Sequence, residues 1–169
     1  MKKNRKLYFL DFFKLRILVV AATVLLSSCT KTDLFEKNVV IPGSAWKSDF
    51  AVKGSFAISD TTPSYNIYLV LRHTDAYQYN NIWINFSLQT PGDSAYTQKL
   101  NIQLGNDING WEGSGMNDIW EIRKLLNIDT RYRRFPKPGN YNFIINQIMR
   151  DEPLRNMMSV GLRIEKEKI

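Results

Sequence analysis

Few side chains in this 169-residue sequence are equipped for chemistry. His73 is the only histidine and Cys29 the only cysteine. One histidine excludes a multi-histidine metal site, and any Ser-His-Asp triad has to run through His73 itself. Asp75 lies too close in sequence to identify an orienting acid. His73 therefore reads as a strand-end residue without a catalytic role. The loop Gly105 to Gly115 (GNDINGWEGSG) offers oxygen ligands at Asp107, Asn109 and Glu112, the donor type calcium takes. An EF-hand fails there, because with Gly110 as its central glycine the first ligand position falls on Gly105 and the last on Met116. A phosphate loop fails too, lacking the Gly-Lys-Ser/Thr ending and a following helix. The plain reading is that Gly and Asn supply turn conformations and Trp111 plugs the end of the fold. Paired carboxylates can be drawn from Glu112, Asp118 and Glu121, but any chain this acidic offers such a trio. No metal and no cofactor are expected, and the chain reads as a non-enzyme.

Cys29 has a different chemistry in prospect. Six basic residues (Lys2, Lys3, Arg5, Lys6, Lys14, Arg16) stand before or within the approach to an apolar run, Ile17 to Leu26. That run is too short to span a bilayer core, which takes about 20 residues, and has the build of a signal-peptide h-region. Leu26-Ser27-Ser28-Cys29 then resembles a bacterial lipobox, with cleavage expected between Ser28 and Cys29. Each buried lipid methylene is worth about 0.8 kcal/mol, so several acyl chains on one terminus anchor stably. Cys29 is the expected mature N-terminus, carrying covalent lipid in place of any cofactor. Thr30 follows it rather than Asp, which favours the outer membrane over the inner. Thr30-Lys31-Thr32-Asp33 has no acidic run of the kind that marks surface export, which favours the periplasmic face.

The net charge of +7 belongs to the leader: residues 29–169 hold 17 basic and 15 acidic side chains, only +2. Nucleic acid is not an expected partner. Arg131, Arg133 and Arg134 form the densest basic group, readable as a solvated face or as a docking patch for an acidic partner or lipid headgroups. Trp83 stands on the polar parity of its segment, between Asn81 and Asn85, with Tyr77 and Tyr79 just before. Sugar platform, protein contact and structural cover are all open readings of that trio.

These residues need elements to hold them, and the dominant signal is period two. Trp46, Phe50, Val52, Phe56 and Ile58 share one parity; residues 65–72 form a second, richer run. Ile82, Ile84, Phe86 and Leu88 face inward on one strand, and Leu100, Ile102 and Leu104 on the next. The turn Pro91-Gly92-Asp93-Ser94 joins them as an antiparallel hairpin. Tyr141, Phe143 and Ile145 alternate with asparagines, and Met158, Val160, Leu162 and Ile164 with polar residues. Residues 118–126 fit a strand or a helical turn leading into one. Seven or eight such strands with no convincing helix predict an all-β antiparallel sandwich, jelly-roll-like, after an N-terminal signal peptide. The division is 1–28 leader, 29–45 lipidated N-terminus and tether, 46–169 sandwich domain.

Three stretches together are similar to a known family. The lipobox, the segment WEGSGMNDIWEIR (Trp111 to Arg123) and the closing stretch PGNYNFIINQIMRDEPLRNMMSVGLRIEK (Pro138 to Lys166) resemble the gliding-motility lipoprotein H family of Bacteroidetes. Trp111, Gly113, Gly115, Asp118, Gly139, Tyr141, Gly161 and Arg163 fall at the positions of its pattern. Asn117 stands before Asp118 where the family's loop has a glycine. The resemblance implies a membrane-held envelope lipoprotein needed for gliding, partnered by other envelope proteins of the gliding and secretion machinery, with no enzymatic activity. A carbohydrate-binding surface lipoprotein is the alternative, resting on Trp83, Tyr77 and Tyr79.

Overall fold

Alternating burial writes the strands directly into the fold. The computed structural model describes residues 34–129 and 134–167. The chain forms β1 (Leu34–Val40), a 3-10 turn at Pro42–Ser44, β2 (Ala45–Trp46), β3 (Val52–Ile58) and β4 (Tyr65–Thr74). Next come β5 (Asn81–Gln89), β6 (Ala95–Gln103), β7 (Gly105–Asn106), β8 (Gly110–Trp111) and β9 (Ser114–Met116). β10 (Ile119–Leu125), β11 (Gly139–Gln147), β12 (Leu154–Arg155) and β13 (Met157–Lys166) complete it. Every pairing is antiparallel.

Two sheets carry the architecture. One has the order β1-β13-β4-β10-β9 and the other β3-β11-β5-β6. The logic is that of a long hairpin rolled up. Its tip is the β5–β6 pair, followed outward by β4 with β10, β3 with β11, and β1 with β13. Successive pairs fall alternately into the two sheets, which is the jelly-roll wrapping of an antiparallel sandwich. The inner faces close on one core, in which Trp46, Leu69, Ile82, Phe86, Tyr141 and Leu162 are fully buried. Aromatic contacts bridge the layers: Phe35 meets Phe56 at 5.4 Å between ring centroids, and Tyr65 meets Phe135 at 5.1 Å.

Two details differ from the expected pattern. The tether expected over 29–45 contributes a full strand, since β1 pairs residue by residue with β13 from Leu34↔Glu165 to Val40↔Ser159. At the start of β13 the inward residue is Met157, fully buried, rather than Met158. A bulge there shifts the register from Met157↔His73 to Ser159↔Arg72, and one extra residue flips the side of everything before it. The doubtful segment 118–126 is a strand, with Ile122 and Leu126 inward.

The registers also define two poles. Leu34 lies opposite Glu165, and Tyr65 opposite Lys166, at the pole where the described chain begins. His73, Met157 and Val40 lie toward the other pole, together with the loops 75–80, 104–113 and 148–156.

Candidate functional site

The second pole is built around Asp75. Its Oδ1 accepts the indole N–H of Trp111 at 2.9 Å and that of Trp120 at 3.3 Å. Its backbone N–H donates to the Asp118 carbonyl at 2.8 Å. Trp111 is placed by the β7–β8 hairpin, whose turn is closed by Asn106 Oδ1 accepting the N–H groups of Ile108 (3.0 Å) and Asn109 (2.8 Å). Trp111 meets His73 edge-on, ring centroids 4.5 Å apart, at this end of the sandwich.

His73 has no access to solvent. Its Nδ1 lies 2.9 Å from the Thr74 carbonyl oxygen, an acceptor, so Nδ1 carries the proton. Nε2 then has no partner among the described residues. Burial among Trp111 and Tyr77 pushes the imidazole below its ordinary pKa, against the smaller opposing pull of the Thr74 hydrogen bond and the Asp75 charge. No His–Asp dyad forms, because the carboxylate is held by the two indoles. Glu112 pairs with Lys124, and Glu121 pairs with Arg72 and Arg123 at 2.9 Å each. Each of those two carboxylates therefore holds a cation rather than a second carboxylate.

Three clefts ring this pole, and all of them include Tyr79. One of about 480 Å³ runs between Tyr77–Tyr79 and the loop Arg150–Asn156. A second of about 390 Å³ lies between Tyr77–Asn80 and the Asn106–Trp111 turn. The third, about 430 Å³, is lined by Tyr79, Asn81, Trp83, Lys99, Met149 and Arg150. Tyr79 donates its hydroxyl to Asp151 at 2.7 Å, and that bond raises its pKa. Glu152 accepts the Ser48 N–H at 2.9 Å, fixing the 148–156 loop to the rest of the fold.

The expected contact trio divides. Trp83 is 37% exposed on the outer face of its sheet. Tyr79 is half-buried at the clefts' junction. Tyr77 is only 3% exposed, packed on His73 and donating its hydroxyl to the Asn81 carbonyl at 3.0 Å, which removes it from any contact surface. Arg134 is exposed, while Arg131 and Arg133 lie outside the described residues, as do Ser28 and Cys29. Asp75 enters the sequence only as an acid near His73, and Trp120, Lys99 and Arg150 carry no local signal of a site, because only the fold brings their loops and strands together.

The family-pattern positions prove to be architectural. Gly113 has φ +100°, and a Cβ there would strike the Glu121 carbonyl. Gly161 lets β1 lie close on β13, since a Cβ would strike the Lys37 carbonyl oxygen. Gly115 lies against the Trp120 ring, and Gly139 opens β11 beside Pro91. Asn117 and Asp118 both have positive φ (49° and 63°) in the two-residue turn joining β9 to β10. A primed hairpin turn takes that conformation, and Asn and Asp tolerate it, so the missing glycine costs the turn nothing essential. Tyr141 is fully buried and donates to the Lys137 carbonyl at 2.7 Å, and Arg163 bridges Glu36 (2.7 Å) and Glu165 (3.1 Å).

Comparison with known proteins decides the family. The family profile described as GldH lipoprotein matches residues 33–164, the greater part of the chain. The chain belongs to that family. Among its relatives is the gliding motility lipoprotein GldH of Flavobacterium johnsoniae, 29% identical over 157 residues, covering 89% of this chain and 95% of the relative. A GldH homolog from Christiangramia forsetii is 25% identical over 150 residues, covering 85% and 90%. Among solved structures, the infectious bursal disease virus VP2 subviral particle is similar with TM-score 0.34 and 12% identity. That match covers 80% of this chain but only 33% of the viral one. The family is one of lipoproteins, and among the described residues no helix is long and apolar enough to cross a membrane.

Proposed function

We propose that this chain is a non-catalytic, lipid-anchored component of the gliding-motility apparatus and its associated secretion machinery. The observation that carries the reading is the family match, which runs across nearly the whole described domain and into both named gliding lipoproteins. The lipobox supplies the anchor at Cys29, with Thr30 favouring the outer membrane and the lack of an acidic run over residues 30–33 favouring its periplasmic face. Four residues separate Cys29 from Leu34, so the five steps between them span at most about 18 Å of extended chain. The lipid therefore ties down the Leu34 pole and leaves the Tyr79 clefts turned toward partners. Those clefts hold Arg150 and Arg155 beside tyrosines, which suits a protein contact better than a reaction.

The test is Cys29→Ala, expressed in cells that lack the chromosomal copy. The variant is expected to accumulate as a folded domain that no longer fractionates with membranes and no longer restores motility. Full motility from the unlipidated protein would sink the anchoring claim.

A further inference from the structure

The two outer faces of the sandwich differ in charge. On the β1-β13-β4-β10 face, acids and bases stand opposite each other by register: Glu36↔Arg163 and Glu121↔Arg72, each pair ion-bridged. The four strands of the other sheet contain no Asp or Glu at all. Their outward positions carry amides and hydroxyls instead, in cross-strand rows such as Asn146–Asn85–Lys99 and Asn142–Gln89. Trp83 stands among them, beside Asn101, with Lys99 Nζ 4.9 Å from its ring centroid. The cleft at this end of the face adds Arg150 and has no carboxylate in its lining.

From this face we infer a binding site for a carboxylate-bearing polysaccharide of the uronate class, centred on Trp83. Side-chain amides offer donors and acceptors together without charge, which matches sugar hydroxyls. The indole offers an apolar platform for a sugar ring. Lys99 and Arg150 supply attraction for the carboxylates, with no acid in the four strands or in the lining of the cleft. An acidic peptide fits less well. A peptide that adds as an extra strand needs a free sheet edge, and Trp83 sits one strand in from the β6 edge, on β5, which is already paired to both β11 and β6. This site shares Tyr79 and Arg150 with the cleft that holds Arg155, but its centre, Trp83 with Lys99, lies outside that cleft, and it stands whether or not the gliding role holds.

The experiment titrates the detergent-solubilised full chain with polygalacturonate oligomers, reading tryptophan fluorescence and calorimetry. Polyglutamate of matched length and neutral dextran serve as comparators. Binding is expected for polygalacturonate alone, weakened about tenfold or more by Trp83→Ala and by a smaller factor in Lys99→Gln, with affinity falling as salt rises. Both substitutions are on the surface, and unchanged thermal unfolding confirms that the fold is intact. Equal or tighter binding of polyglutamate overturns the inference in favour of an acidic protein. Equal binding of dextran overturns the role given to the cations. No binding, or binding indifferent to Trp83→Ala, overturns the site.

Discussion

At the scale of single residues, His73 makes the sharpest prediction. Its folded pKa lies below the ordinary value near 6.5, so the unfolded chain binds the proton more readily. Its stability contribution is complete above the unfolded value and is lost as pH falls through it toward the folded pKa. Thermal unfolding should therefore drop in midpoint between about pH 7 and pH 5, and His73→Phe should flatten that slope. A slope unchanged by the substitution would assign the pH dependence elsewhere. Tyr141→Phe removes the hydroxyl that donates to the Lys137 carbonyl, and urea unfolding should show a loss of about 1 kcal/mol with unchanged m-value. The sequence pointed to Tyr141 and Trp111 without revealing what they bind. A hydrogen bond from Trp111 to Asp75 spans 36 residues, and nothing in local spacing encodes it.

At the scale of elements, the period-two pattern is enough to find β3, β4, β5, β6, β11 and β13 and the β5–β6 hairpin, while residues 118–126, which hold β10, stay open between strand and helical turn. It failed where the signal is not periodic. The lipobox drew the reading of 29–45 toward a tether, yet Phe35 and Val39 pack on the core from β1. The Met157 side chain was misplaced because a bulge leaves no trace in hydrophobicity alone. Gly161 is the hinge of the β1–β13 contact. Gly161→Ala should cost about 1–3 kcal/mol and strip hydrogen-exchange protection from residues 34–40 while β4 and β10 keep theirs. Uniform loss across both sheets would show instead that β1 is inseparable from the rest. At the β9–β10 turn, Asn117→Gly places at φ 49° a residue that adopts this conformation freely. Its effect on stability should stay within about 1 kcal/mol, measured by the same urea titration.

At the scale of the whole molecule, the rolled hairpin separates duties. It puts the start of the described chain at one pole and the Asp75–Trp111–Trp120 cluster with its clefts at the other, with an ion-paired face and an amide face between them. Strand count and alternation made the sandwich legible in the sequence. The poles and faces are not, because they follow from which strands pair, and pairing partners lie as far as 131 positions apart at Leu34↔Glu165. The central claim is that this architecture holds partners at the membrane. That is measured by co-purification of the tagged, lipidated protein from gently solubilised envelopes, beside Arg155→Glu, which reverses charge in the cleft of about 480 Å³. Stoichiometric envelope companions are expected with the wild-type chain and are lost with Arg155→Glu. A lipoprotein recovered alone from both preparations would contradict that claim.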